Sequence, residues 1–468
     1  METVGWQRAR PTTGQTPMCE AMNTSRRKSP RMQRSPQRIH VDPNSASSCL
    51  LLESVHYLPH RVEYVHTHRP QWQRTTSLIM HHKPPLPGFA VRDFSLAEDW
   101  TFLNHGSYGA IPRSVQQEQE RWRQELERQP VDFLARRWPG LVAEARGQVA
   151  PHLGTTSDCM AFVPNATAGI QAIIRSFSWQ RGDSILTTNH RYDAVHRILQ
   201  FAMRRAGGQV IEVDPSANPT PDSLRTALLA ACRPHTRMVV LDEITSPTAR
   251  RLPIKPLIED LRDRGIMVVV DGAHAPGQID VALDTMGVDF WVGNLHKWVC
   301  APRGAAVLYA APQHHDVIRA PITSHGHGLG FHAEFDWTGT FDPSPWLSAP
   351  RALAQHEAWG GAELRTAHRQ LAGHFRDRLY DALDLPNPAV PGTPHTLAMI
   401  AVPLGVPTTH VPAAQHWLAA HKVEAPIIPW QGQTWIRASA FSAYNMPDDI
   451  EALIALLPKL RNVLRDGT

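Results

Sequence analysis

From about Asp99 onward, short apolar runs rich in β-branched residues alternate with stretches of ten or more residues at helical spacing, the rhythm of βαβ units. SILTT (184–188), MVVL (238–241), IMVVV (266–270), DFWVG (289–293) and AAVLYA (305–310) predict buried parallel strands. Between two of them, residues 254–264 place Ile254, Leu257, Ile258 and Leu261 on one helical face, and Gly265 stops the helix. The C-terminal third changes character, with helical segments around 351–383 and 447–465 flanking shorter strand-like pieces. The pattern predicts an α/β fold, a large sheet domain over 86–345 and a smaller α+β domain over 346–468. No internal repeat is visible.

The first 85 residues break this pattern, being rich in Arg, Ser, Pro and His with no sustained period of either kind. They hold twelve Lys/Arg against five Asp/Glu, so with a whole-chain charge of +4 the remainder sums to −3. A transit peptide or a nucleic-acid-binding arm shares this composition, but a solvated tail or an upstream start ahead of Met80 is the simpler expectation. The body, close to neutral, gives no reason to expect nucleic acid as a partner. Five cysteines, at Cys19, Cys49, Cys159, Cys232 and Cys300, form neither CxxC pairs nor a disulfide framework, and no metal site is expected. With no apolar run long enough to span a bilayer and no secretory start, the expectation is a soluble cytoplasmic protein without a membrane partner.

The strongest local signal is IMVVVDGAHAPGQ, an apolar strand ending at Asp271, followed about 26 residues later by a second strand ending in GNLHKW. Ligands of open α/β sheets bind at the carboxyl ends of strands, so Asp271 and Lys297 are placed to meet one ligand. Alone, a strand-end Asp is more often a cap and a Lys more often a solvated charge. Together they supply a defined chemistry. A buried amine with its pKa lowered from about 10.4 can form a Schiff base with an aldehyde, and an aspartate on a pyridine nitrogen keeps that nitrogen protonated, which makes the ring an electron sink. Lysine plus a distant strand-end aspartate is the pattern of pyridoxal phosphate (PLP).

Seven segments, FLNHGSYGAIP (102–112), PNATAGI (164–170), ITSPTARRLPI (244–254), VDGAHAPGQ (270–278), GNLHKWVCAPRG (293–304), EFDWTGTFDPSPW (334–346) and IRASAFSAYN (436–445), stand in this order. Through them the chain resembles the class V aminotransferase group of PLP enzymes, and within it the isopenicillin N epimerase-like proteins, over roughly 98–465. The resemblance implies fold type I, with a mostly parallel seven-stranded sheet, a smaller C-terminal domain to which an N-terminal segment contributes, and pyridoxal 5'-phosphate as cofactor. It makes Lys297 the Schiff-base lysine and Asp271 the partner of the pyridine nitrogen. His274 and Ser246 would face the ring's phenolic oxygen, Tyr192 would stack on its face, and His296 would sit on the phosphate side. Asn165, Ala166 and Thr167 lie at the phosphate turn, where N-capping and anion binding use the same geometry. Gly339 and Thr340 match a loop that in relatives reaches the neighbouring subunit, which implies a homodimer. Arg437 would clamp the α-carboxylate of an amino-acid substrate through its planar fork, with Asn104 and His105 completing that side.

One departure concerns Ala249, which stands where relatives usually carry glycine, so a differently built turn after Ser246 is expected. The cofactor alone leaves racemisation, transamination and β-elimination open. Epimerase chemistry is the leading expectation, with a C–S lyase or an aminotransferase as the alternative and a non-catalytic protein of the same fold as a further one. A cysteine desulfurase is not expected, because no cysteine follows Cys300, which itself reads as structural. A chain beginning at Met80 is expected to keep full cofactor absorbance and turnover. Loss of either on truncation would show that the basic extension belongs to the working enzyme.

Overall fold

The computed structural model describes residues 93–467 apart from positions 217, 390, 391, 393 and 394, so the extension over 1–85 and Met80 lie outside the described residues. The strands are β1 (Thr101–Phe102), β2 (Met160–Val163), β3 (Ser184–Thr188), β4 (Gln209–Val213), β5 (Thr236–Asp242), β6 (Met267–Asp271), β7 (Phe290–Asn294), β8 (Ala306–Ala310), β9 (Met399–Pro403), β10 (Val423–Glu424), β11 (Ile427–Trp430) and β12 (Gln433–Ser439). Seven of them form one sheet in the order β2-β8-β7-β6-β5-β3-β4. From β7 through β6, β5 and β3 to β4 every pairing is parallel. The fold is α/β with a mostly parallel central sheet.

The run AAVLYA, expected as a parallel strand, is a correction: β8 is antiparallel to both β7 and β2. Only residues 295–305 separate β7 from β8 and they contain no helix, too little for the crossover that a parallel return needs. Two strands escaped the periodicity. MAFV in β2 is four residues long, and QVIEV in β4 is a partly exposed edge. The helical stretch expected around 351–383 comprises two helices, Ala349–Ala358 and Ala362–Ala382, separated where Gly360 and Gly361 take φ of 105° and 50°.

Successive residues of the central strands feed two different cores, because side chains alternate across a sheet. Val239, Leu241, Val268, Val270 and Trp291 point to one face. Met238, Val240, Val269 and Val292 point to the other, against Ile170 and Ile173 of the helix Ala166–Arg175. Both faces are covered, which is why these strands read as unbroken apolar runs. The same alternation carries Asp242 and Asp271, the last residues of β5 and β6, onto the face of that helix. A third core joins β9, β11 and β12 to the helices Ala362–Ala382, Val411–Ala420 and Asp449–Asp466, through Phe375, Ile400, Leu418, Ile436 and Leu457. Into this region the N-terminal β1 inserts, pairing in parallel with β10. Among the described residues no helix is long and apolar enough to cross a membrane, and no cluster of metal-ligating side chains forms.

Trp291 fixes the back of the sheet. Its fully buried indole donates its N–H to Glu243 Oε2 at 3.0 Å and lies so close to Gly272 and Gly293 that a Cβ on either would fall 2.2 Å from the ring. Gly293→Ala is therefore expected to destabilise by about 3 kcal/mol, because a closely packed indole has nowhere to move. Gly140→Ala is the control: it lies in the helix Trp138–Val149 with open space around it and should be neutral or slightly stabilising. Equal denaturation midpoints for the two variants would show that the indole yields freely.

Candidate active site

Lys297 lies in the turn after β7. The residue as a whole is half-buried. Its amine is nevertheless packed deeply enough that desolvation, with Arg437 second, pushes its pKa down to about 7 against the opposing pull of Asp271 and Asp242. His274 Nε2 stands 3.2 Å from Lys297 Nζ, and the Trp298 indole N–H points at His274 Nδ1 from 3.4 Å. Burial holds the His274 imidazole well below its usual range, hence neutral. With Nδ1 accepting from the indole, Nε2 carries the proton and donates to the unprotonated amine.

Asp271 and Asp242 are register partners at the ends of β6 and β5, each 4% exposed. Asp271 Oδ1 accepts the Ala273 N–H at 2.9 Å. Burial raises the pKa of both, and Asp242, raised further by its neighbour's charge, is the member that holds a proton. Asp242 was missed from sequence. Its signal was present, since MVVLD ends in a carboxylate just as IMVVVD does.

On the adjoining side, the helix Ala166–Arg175 begins at Asn165, whose Oδ1 accepts the Ala168 N–H at 2.8 Å. The Ala166 N–H donates to Asn294 Oδ1 at 2.9 Å, which ties the helix start to the end of β7, and Thr167 is half-buried in the first turn. His296 is 9% exposed, has Nδ1 3.3 Å from the Ala305 carbonyl, and is held at a pKa of about 4 by burial and then by Lys297. Tyr192 precedes the helix Asp193–Ala206 and is 47% exposed. Partial burial, then Tyr108 and Asp271, raise the pKa of its hydroxyl while Arg437 lowers it, so these four side chains share a neighbourhood.

Arg437 in β12 is 4% exposed and has no carboxylate partner among the described residues. Its Nη1 donates to the carbonyl and hydroxyl of Ser246 at 2.8 and 3.1 Å, its Nη2 donates to Ser107 Oγ at 3.0 Å, and its buried Nε has no partner. Burial lowers its pKa to about 10. Ser246 is thus positioned by the arginine. In the turn after it Ala249 takes φ of 49° while buried, a left-handed conformation that glycine adopts more readily.

Two expected residues, Asn104 and His105, are placed otherwise. Asn104 donates to Glu424 Oε1 at 2.9 Å and accepts the Ser107 hydroxyl, so Ser107, not Asn104, touches Arg437. His105 has no exposed surface and both ring nitrogens are engaged within the protein, so a substrate contact is excluded by burial. Gly339, with φ of 116°, and the exposed Thr340 follow the helix Phe331–Asp336 and make no hydrogen bond to Lys297, Asp271 or Arg437 among the described residues. Cys300 is buried, which pushes its thiol well above the usual range and away from nucleophilic chemistry.

A buried unprotonated amine, a buried carboxylate at a neighbouring strand end, a helix N-terminus and an uncompensated guanidinium together fit PLP with an amino-acid carboxylate. Comparison with known proteins agrees. The chain is 29% identical to isopenicillin N epimerase of Amycolatopsis lactamdurans, in an alignment covering 79% of this chain and 98% of that protein. It is 29% identical to an L-cysteine desulfhydrase of Arabidopsis thaliana over 54% of this chain and 59% of that one. The solved complex of a cystine C–S lyase with its product cysteine persulfide shares the fold, with a TM-score of 0.66 at 20% identity over 77% of this chain and 97% of that chain. The aminotransferase class-V family matches residues 112–453, nearly the whole of the described body, and the chain belongs to that family, with pyridoxal 5'-phosphate as its cofactor.

Proposed function

We propose that this enzyme is an isopenicillin N epimerase-like catalyst that removes the Cα proton of an α-amino acid and returns it on the opposite face. The observation that carries the reading is Arg437, a buried guanidinium with a free Nε and no carboxylate of its own among the described residues, beside a lysine amine held unprotonated. Alignment along almost the full length of an isopenicillin N epimerase supports epimerisation over the other outcomes.

When bound, the cofactor withdraws electrons from the Cα of a linked amino acid and makes its proton acidic. The protein's own groups do the rest. Lys297 Nζ, with its pKa near 7, accepts the Cα proton at neutral pH, and His274 aims it; return of a proton on the opposite face requires a second acid–base group there or movement of this amine between the two faces. Asp271, the ionised member of the carboxyl pair, accepts from the pyridine N–H, and the protonated Asp242 beside it avoids a second buried charge. Arg437 binds the substrate carboxylate, with Ser246 and Ser107 holding the guanidinium in place. In the same reading Asn165, Ala166, Thr167 and His296 receive the phosphate, Tyr192 covers the ring face, and Gly339 and Thr340 serve the neighbouring subunit of a cytoplasmic homodimer.

The second reading is a C–S lyase, favoured by the L-cysteine desulfhydrase relative. Both begin with the same proton removal and differ in whether a β-substituent then leaves. Transamination is the third outcome. Incubating L- and D-amino acids in D2O separates them. Epimerisation should give both enantiomers with deuterium at Cα, at a rate that rises through about pH 7 as Lys297 Nζ loses its proton. Sulfide and a keto acid from cysteine derivatives without inversion would select the lyase, and transfer of the amino group to a second keto acid would select the aminotransferase.

Arg437→Lys should raise KM for amino acids with cofactor affinity nearly unchanged. Lysine keeps the charge but loses the planar fork, so the loss is about 1–3 kcal/mol, or roughly ten- to a hundred-fold in kcat/KM. Amine substrates without a carboxylate should be almost insensitive. Equal losses for amines and amino acids would place the carboxylate clamp elsewhere.

A further inference from the structure

We propose that His105 is a positioning residue, a neutral imidazole that holds the backbone of Lys297 and ties it, through Tyr444, to the segment carrying Arg437. The inference rests on Lys297 being the cofactor lysine, as proposed above.

His105 Nε2 lies 3.0 Å from the Lys297 carbonyl oxygen and Nδ1 lies 2.8 Å from the Tyr444 hydroxyl. A carbonyl can only accept, so Nε2 carries the proton. Burial lowers the ring's pKa to about 3, so it is neutral and Nδ1 must accept. Tyr444 O–H therefore donates to Nδ1, helped by the Ala110 N–H at 3.3 Å. Each polar atom of the ring has one role, and the tautomer has no alternative.

Apolar contacts hold the ring as firmly. It stacks on Phe441 with centroids 3.9 Å apart and planes 16° apart, and it tilts against Trp298 at 5.1 Å. The lysine turn is itself unusual. Cys300, a non-glycine residue, takes φ of 62° and sits with Sγ 3.7 Å from His105 Nε2. A residue in that region keeps its conformation only when its surroundings impose it. Gly109 closes the other side, where a Cβ would stand 2.3 Å from the His296 carbonyl oxygen.

Tyr444 and Phe441 belong to the segment that leaves β12 just after Arg437. Between Arg437 and Phe441, Ser439 accepts the Gly106 N–H on its Oγ at 2.9 Å and donates its own N–H to the Leu103 carbonyl at 2.8 Å. The arginine and the lysine backbone are therefore referenced to the same short stretch, residues 103–109, where Ser107 accepts from Arg437 and His105 joins the Lys297 carbonyl to Tyr444. A shift of the arginine segment would reach Lys297 through one hydrogen-bonded ring.

The test reads cofactor uptake by cofactor-free protein, followed by absorbance on adding pyridoxal 5'-phosphate across pH. Uptake requires the unprotonated amine, whose titratable and charged neighbours are the neutral His274 and His296, the Arg437 guanidinium and the carboxyl groups of Asp271 and Asp242, so the midpoint should lie near 7 in the wild type. His105→Phe keeps an aromatic ring but removes both nitrogens. Release of the lysine backbone should let water reach the amine and raise the midpoint by at least about one pH unit toward the ordinary lysine value. Amide hydrogen exchange over 297–300 should quicken on the order of tenfold. Tyr444→Phe should shift the midpoint in the same direction by less, and His105→Gln, whose amide N–H can reach the carbonyl, should bring it back toward the wild type. Leu418→Ala, in the core of the C-terminal helices, should lower stability without moving the midpoint.

An unchanged midpoint in His105→Phe, or an equal shift in Leu418→Ala, overturns the inference. Should His105→Phe fail to fold, an unchanged midpoint in Tyr444→Phe does the same. Wild-type protein that takes up no cofactor overturns the cofactor reading instead, and the inference with it.

Discussion

Removing the Lys297 ammonium from water, with the Arg437 guanidinium nearby and lacking a carboxylate of its own among the described residues, makes the charged form of the lysine unfavourable. The other features of the site follow from that constraint. An amine without its proton is a hydrogen-bond acceptor, and the neutral His274 donates to it. His274 can donate only because its Nδ1 is already engaged by the Trp298 indole. The sign of the linkage is defined. A lysine whose folded pKa is depressed binds fewer protons than in the unfolded chain between about pH 7 and 10.4, so the folded state gains stability as pH rises through that window.

The sheet explains how such a site can be buried at all. Parallel strands β5, β6 and β7 end at one edge, and alternation along them places Asp242 and Asp271 on the face of the helix Ala166–Arg175 while Trp291 and Glu243 take the opposite face. Placing two carboxyls next to each other out of water is tolerable if one is protonated, and the backbone N–H of Ala273 together with the nearby Lys297 favours ionisation of Asp271. The fold therefore supplies one anion at the strand ends, not two.

Much of this architecture was legible, for reasons that differ by element. The central strands are buried on both faces, so they stand out as apolar runs, and the residues that end them, Asp271 and the neighbourhood of Lys297, stand out as polar interruptions. Strand direction was not legible in AAVLYA, because direction is set by the length of the connection and not by the run itself. The edge strand β4, partly exposed, and the four-residue β2 lack enough periodicity to register. At Ala249 the residue type gives no sign of the left-handed φ of 49° that the buried alanine takes. His105 was placed on the substrate side because a histidine in an apolar segment carries no mark of what its ring nitrogens meet. Its partners, Lys297 and Tyr444, lie 192 and 339 residues away in sequence.

Charge balance links the two ends of the site. Asp242 protonated, Lys297 and His274 neutral, and Asp271 ionised set the buried Arg437 guanidinium against the Asp271 carboxylate, and the two groups belong to different elements, β12 and β6. Arg437 is satisfied only by neutral hydroxyls and a carbonyl, which stabilise a guanidinium less than a carboxylate does. An anion arriving at Nε and the fork would therefore gain more here than at an exposed arginine already screened by water. It would also relieve the repulsion that helps keep Lys297 unprotonated. In the proposed reading carboxylate binding and lysine basicity are coupled through Arg437, since a bound carboxylate would make the amine a stronger base when the Cα proton has to be taken.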